Sequence, residues 1–301
     1  MATDDLLRTL RDLVQVDVGN RGLARDPADN LLTACPDDFA NACRSIADHP
    51  GPRVGIVTGF MIPSVEPPTG ETDGPLGALF LDRAFAAIGV PTVLITDRSA
   101  MDALADGLVA HGSRSVLVEV TAGLDPAAVL HETGPLTHLI AVERSGPSRA
   151  TGRNHTMRGR DITDLTAPTH LLFEGDHEYV TIGIGDGGNE IGMGKVPYET
   201  VRKNVPNGEQ VACRVATDHL IVAGISNWGA YALAAGVLAL RGQGLPGLFD
   251  PAAERRLLER IVTAGPLVDG VRGERSATVD GLDWDEYARP LGQIRTALNA
   301  A

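Results

Sequence analysis

Residues 53–97 read RVGIVTGFMIPSVEPPTGETDGPLGALFLDRAFAAIGVPTVLITD. The opening eight, RVGIVTGF (53–60), are mostly apolar and β-branched and predict a buried strand. GPLGALFLDRAFAAIG (74–89) predicts a helix, with Leu76, Leu79, Phe80 and Ala84 on one face. Asp73 is placed to cap it, Pro75 suits its first turn, and Gly89 stops it. PTVLITD (91–97) predicts the next strand. A strand, a helix and a second strand in so short a span predict parallel pairing through a right-handed crossover.

The same alternation extends on both sides. Helices are expected at 98–112, 125–134, 225–242, 251–265 and 283–299, and strands at 115–120, 137–144, 179–185 and 218–224. The fold class is therefore α/β: a mostly parallel sheet flanked by helices, three-layer αβα with Rossmann-like topology. The chain is expected to form a single domain over 1–301. It would have a helical lead-in at about 1–50, a core at about 53–242 and C-terminal helices at about 243–301. Aromatic residues are only 4% of the chain, so Ala, Val, Leu and Ile must fill the core, as suits a parallel sheet under Ala-rich helices.

Charge narrows the partners. Lys plus Arg is 26 and Asp plus Glu is 39, for a net charge of −13. This argues against nucleic acid or an anionic membrane as the main partner and leaves a small molecule. No apolar run is long enough to span a bilayer, and the N-terminus lacks the basic start and apolar core of a signal peptide. Cys35, Cys43 and Cys213 form no CxxC pair, which points to a reducing cytoplasm. A homodimer is allowed.

In doubly wound sheets ligands bind beyond the carboxyl ends of the strands, and the unusual segments fall there. The densest is TIGIGDGGNEIGMGK (181–195), with six glycines and with Asp186, Glu190 and Lys195 among them. Gly183, Gly185 and Gly188 match GxGxxG. Further glycines follow where a dinucleotide site needs its helix to begin, so that reading is disfavoured. GDGGNE is similar to an acidic motif of haloacid-dehalogenase-type phosphatases, but the aspartate nucleophile they carry after the first strand is missing. Two readings stay open. One is a glycine-rich turn with Asp186 and Glu190 as backbone caps. The other is a loop whose Asp186, Asn189 and Glu190 offer hard oxygens to Mg²⁺ or Mn²⁺. Glu71 and Asp73 lie at a helix start whose free amides suit a carboxylate. Glu143 and Arg144 end a strand, as a base beside an anion-binding arginine. Arg149, Arg153, Arg158 and Arg160 make the loop at 145–168 basic. Ser226 or Asn227 could cap the following helix, and Trp228 could wall a pocket.

The runs GIVTGFMIP, ETDGPLGALFL, AVERSGP, GRNHTMRGRDIT, TIGIGDGGNEIGMGKV and ISNWGAYAL lie between residue 54 and about residue 235. Together they resemble the D-glutamate cyclase family, specifically the domain that forms the C-terminal part of a longer eukaryotic enzyme, expected here to stand alone. The resemblance implies dehydration of D-glutamate to 5-oxo-D-proline. That chemistry needs an acid–base pair, a cation for the developing oxyanion and a clamp for a dianion. The candidate catalytic residues are Glu143, Asp186, Glu190 and Lys195, and Asp186 and Glu190 are the candidate ligands of a divalent Mn or Mg. The candidate substrate contacts are Glu71, Thr72, Asp73, Gly74, Arg144, Asn154, Arg158, Gly187, Gly188, Asn189, Ser226, Asn227 and Trp228, with Arg158 as the carboxylate clamp. The competing readings are a non-catalytic amino-acid or nucleotide-binding module and a phosphatase-like metal hydrolase.

Overall fold

A computed structural model describes residues 3–300. Met1, Ala2 and Ala301, at the ends of the expected lead-in and tail, lie outside the described residues. Helices α1 (Thr3–Val14) and α2 (Asp38–Asp48) come first. Then follow β1 (Val54–Thr58), the short β2 (Met61–Ile62) and β3 (Thr69–Gly70), α3 (Pro75–Ala87), β4 (Thr92–Thr96), α4 (Met101–Ala110), β5 (Val116–Glu119), α5 (Pro126–Thr133) and β6 (His138–Val142). The second half holds β7 (Val180–Gly185), α6 (Tyr198–Asn204), α7 (Gly208–Val211), β8 (His219–Val222), α8 (Ser226–Leu240), α9 (Pro251–Ala264), α10 (Trp284–Tyr287) and α11 (Arg289–Asn299).

Six of these strands form one parallel sheet in the order β5-β4-β1-β6-β7-β8. The chain winds outward from β1 in one direction and from β6 in the other, so a crevice opens between the carboxyl ends of β1 and β6. The register sets its floor. Thr58 pairs with Val142, which makes Gly59 and Glu143 the first residues beyond the sheet.

Two apolar cores cover the faces. Leu76, Leu79, Leu104 and Leu233, from α3, α4 and α8, pack on one side. Val129, Leu172, Val201 and Val211, from α5, the segment before β7, α6 and α7, pack on the other. Helix α8 is buried from Ser226 to Leu238, with no solvent face. It lies against α3, with α1, α2 and α11 packed over it, and a helix apolar on every side is what such a position requires. Gly77 lets α3 and α8 approach: a Cβ there would sit 3.0 Å from the Ala230 Cβ.

The expected elements are present, each shorter at its ends. The last expected helix breaks into α10 and α11, where Pro290 starts α11. The basic segment after β6 is ordered: Ala167 and, just beyond it, Leu172 join the second core, while Ile162 packs in a small separate cluster with Phe60, Ile62 and Val268. Among the described residues no helix is long and apolar enough to cross a membrane.

The caps differ from expectation. Asp73 does not cap α3; its carboxylate accepts from the backbone N–H groups of Ser226 (3.0 Å) and Asn227 (2.9 Å) at the start of α8. Asn227 does not cap α8; its Oδ1 accepts from Gly74 N (2.9 Å) and Gly77 N (2.7 Å) at the start of α3. Each helix supplies the other's cap, because both start at the same crevice and neither end faces water. Asn227→Ala leaves the buried Gly77 N–H unpartnered, while Gly74 N keeps Asp73 Oδ1 at 3.1 Å, and should cost about 2 kcal/mol in urea unfolding, with little change in slope. A variant within ~0.5 kcal/mol of the parent would contradict the cross-capping.

Candidate active site

Every part of the crevice delivers an acid. Glu143 follows β6 with φ 45°, a backbone conformation that side-chain-bearing residues rarely adopt. Glu71 and Asp73 arrive on the segment after β3, which is tied to Phe60 O through Glu71 N (3.1 Å) and to Val268 O through Thr72 N (2.9 Å). Asp186 and Glu190 follow β7. Asp280 comes from the C-terminal segment, also at positive φ (54°). Into this group reaches one cation, Arg21, from the turn after α1. Asp17 fixes that turn by accepting from Arg21 N (2.8 Å) and Gly22 N (3.0 Å).

The Arg21 guanidinium pairs with Asp186 through Nη1 and with Asp280 through Nη2 at 2.7 Å. These are close charge contacts, and Arg21 Nη1, Asp186 Oδ2 and Asp280 Oδ2 complete no aligned hydrogen bond. One oxygen each of Asp73, Glu143 and Asp186 lie within 4.8 Å of one another. Ser226 Oγ is 2.6 Å from Glu143 Oε2. Water scarcely reaches the group: Glu71 is 6% exposed, Glu143 5%, Asp186 3% and Asp73 2%.

Six carboxyl groups around one guanidinium cannot all ionise. Burial, then the charges of neighbouring acids, pushes Glu71, Asp73 and Glu143 well above the usual carboxylate range. Burial also raises Asp186, although Arg21 and a hydrogen bond from the Asp73 carboxyl oppose the rise. Glu190 is raised by burial against the pull of backbone N–H donors. Asp280 is pushed up to about 7 by burial, with Arg21 opposing and Asp186 adding. Burial works against the Arg21 charge, but Asp186 and Asp280 outweigh it. The site therefore holds protonated and ionised carboxyls side by side, as acid–base chemistry requires.

The expected residues divide. The crevice brings together Glu71, Asp73, Glu143, Asp186, Glu190 and Ser226, with Gly74 at the α3 start. A Cβ on Gly187 would come within 2.7 Å of side-chain oxygens of both Asn189 and Glu190, so these two side chains close over the bare glycine. Asn154 and Asn189 are buried beside this loop. Thr72 points away, its hydroxyl donating to Thr278 O (2.8 Å).

Five expectations need correction. Glu190 is a turn cap: Oε2 accepts from Gly188 N at 2.8 Å and Oε1 from Asp186 N at 3.3 Å. The compact acidic trio is Asp73, Glu143 and Asp186, not an Asp186–Glu190 pair. Arg144 contacts no open space; it is fully buried, pairs with Asp97 (2.5 Å) and donates to Gly59 O, Thr169 Oγ1 and Ala167 O. Lys195 turns outward to Asp38 (2.6 Å) and Asp218 O. Arg158, expected as the clamp, is exposed, as are Arg149 and Arg160. Trp228 donates to Tyr287 O (2.9 Å) and borders a separate cleft with Leu13, Val16 and Pro290.

Arg21 and Asp280 escaped the sequence reading because each lies far along the chain from the strand ends. The signal for Arg21 was slight: a lone arginine between Asn20 and Gly22, in a turn after an amphipathic helix.

Residues 10–295 match the family described as D-glutamate cyclase-like, C-terminal. The chain is also 35% identical over 251 residues to human D-glutamate cyclase, mitochondrial, covering 78% of this chain and 39% of that protein. It thus spans about two-fifths of that relative's length. The chain belongs to the D-glutamate cyclase-like family.

Raised carboxyls make stability depend on pH in a definite direction. Asp280 titrates near 3.8 when unfolded and at about 7 in the fold, so the folded state keeps a proton that the unfolded chain gives up. That contribution is whole below about pH 4 and is lost as pH rises through about 7, by up to about 4 kcal/mol. The melting temperature should fall between about pH 5 and 8, a window above the titration of the surface carboxylates. Asp280→Asn should flatten that fall. A melting temperature that climbs across this window would overturn the assignment.

Proposed function

We propose that this chain, as a member of that family, closes D-glutamate on itself to give 5-oxo-D-proline and water. The reading is supported by its family and by the buried carboxyl cluster around Arg21 at the crevice between β1 and β6. The reaction balances without an outside reagent. The α-ammonium gives up two protons, its nitrogen bonds the γ-carboxyl carbon, and one γ-oxygen leaves as water carrying two protons. A site that takes protons at one place and returns them at another is sufficient.

Glu143 and the Asp73–Asp186 pair suit that relay. Asp73 and Glu143 hold protons to give to the departing oxygen, and Asp186, ionised beside Arg21, can accept one from the amine. Arg21 takes the clamp role: on approach, a substrate carboxylate can share its guanidinium, which is planar and already desolvated. Ser226 holds Glu143 in place through the 2.6 Å contact.

The donor set also fits a divalent cation. Asp73, Glu143 and Asp186 present hard oxygens within 4.8 Å of one another, in a site with excess negative charge. Ionised, they would hold Mn²⁺ or Mg²⁺ in place of the protons of that relay, and the ion would then neutralise the γ-carboxylate and its oxyanion. We also assign the protein to the reducing cytoplasm, since all three cysteines are unpaired.

Purified protein, with and without Mn²⁺, should release 5-oxo-D-proline from D-glutamate, read by chiral chromatography. Folded protein with no turnover under any divalent ion would end the proposal. Glu143→Gln should lower kcat by about 100-fold or more while the fold survives. Arg21→Ala should raise KM strongly, and Arg158→Ala should be nearly silent. The reverse ranking of the two arginines would return the clamp to the basic loop.

A further inference from the structure

Beside the acidic cluster lies a group of uncharged polar side chains that the fold does not satisfy. Ser145 Oγ, Asn154 Oδ1 and Asn189 Oδ1 are buried without a hydrogen-bond partner, on residues 2%, 4% and 1% exposed. Buried polar atoms left unpaired are uncommon in folded proteins, and each calls for an explanation. Backbone contacts gather the three. Ser145 bridges Glu190 and Pro147 bridges Asn154. Gly146 N donates to Asn189 O (3.0 Å), and Asn189 Nδ2 donates to the carbonyl of His155 (2.9 Å). That last bond fixes the Asn189 amide, since only its nitrogen can face a carbonyl; the free atom is the oxygen. It lies over Gly187, 2.7 Å from where a Cβ would stand, between Asp186 and Gly188.

We propose that Ser145, Asn154 and Asn189 form the subsite that receives the substrate's α-amino group. This rests on the amino-acid reading of the site given above. Two amide oxygens and a hydroxyl accept N–H donors, and a primary ammonium carries three. The neutrality of these acceptors has a chemical purpose. A carboxylate paired with the ammonium would hold its protons and delay attack, because an opposite charge favours the charged form. Amide and hydroxyl oxygens orient the nitrogen without stabilising its charge as a carboxylate would, so it gives up a proton to a nearby ionised carboxyl more readily. The subsite thus selects primary amines and presents the nitrogen as a nucleophile, while Arg21 holds a carboxylate.

The test uses side chains that the fold does not need. Neither Ser145 nor Asn154 donates or accepts a side-chain hydrogen bond within the described protein, so Ser145→Ala and Asn154→Ala should melt with the parent. Binding of D-glutamate and of glutarate, which is the same dianion without the amine, is measured by calorimetry on the full chain with Mn²⁺ present. Each variant should weaken D-glutamate by about tenfold or more and leave glutarate unchanged. If glutarate does not bind the parent, the loss for D-glutamate alone decides. Equal weakening of both ligands would make the positions structural and overturn the subsite. Unchanged D-glutamate binding would overturn it too and leave the cyclase reading standing, with water satisfying the three atoms. A parent protein that binds no D-glutamate would remove both proposals together.

Discussion

Six carboxyl groups and one guanidinium share a space that water scarcely enters, and their charges balance only if several carboxyls keep their protons. Much of the chemistry available to the protein follows from this. In water these acids would all ionise and the cluster would repel itself apart. Buried, they divide into protonated and ionised members, and Arg21 sets the division by where it sits. Asp186 lies against it. Glu71, Asp73 and Glu143, whose rise is larger, owe it to burial and to each other. A residual negative charge attracts cations to the crevice.

Holding such a cluster requires a backbone that cannot relax. Glu143 and Asp280 both adopt positive φ, a conformation that costs about 1–3 kcal/mol for a residue with a side chain. The rest of the fold enforces it. Glu143 is clamped from behind by the pairing of β6 with β1 and β7. Asp280 is clamped by Asp269, whose carboxylate accepts from Val271 N, Arg272 N and Gly281 N and so closes the loop in front of it. The N-termini of α3 and α8 add a third constraint. Since Asp73 caps α8 and Asn227 caps α3, the helices cannot separate without stripping the buried N–H groups of Gly77, Ser226 and Asn227 of their partners. Asp73 is at once a cap and a member of the acid cluster.

The sheet was legible in the sequence because a parallel sheet writes itself as runs of β-branched residues separated by helices. That polar segments gather beyond the strand ends followed from topology, and the acids at 71, 73, 143, 186 and 190 do meet there. What failed was charge. Arg144 and Arg158 looked like clamps because arginines near strand ends are free to bind in most sequences. Burial decided otherwise: Arg144 is spent pinning the ends of β1 and β4 together through Gly59 and Asp97, and Arg158 stays in water. Lys195 was read by its neighbours in sequence, yet the glycine loop turns it outward to Asp38. The caps were mis-assigned for a related reason. A local rule gives each helix its own cap, whereas two helix ends meeting in one dry crevice exchange theirs.

The placement of Arg21 links the site to the ends of the chain. The strands and their loops provide acids but no free cation. The cation arrives from the turn after α1, and the sixth acid from the segment before α10. Both segments are held by burial far from the crevice: Leu6, Leu7 and Leu10 of α1 and Leu291 and Ile294 of α11 lie in one core with α8. Docking of the two ends on α8 therefore carries Arg21 and Asp280 to the crevice mouth. With the two ends in place, the acids of the crevice are dry and their carboxyls raised. The terminal helices thus do more than cover apolar surface, because their packing brings Arg21 and Asp280 against the acids of the crevice.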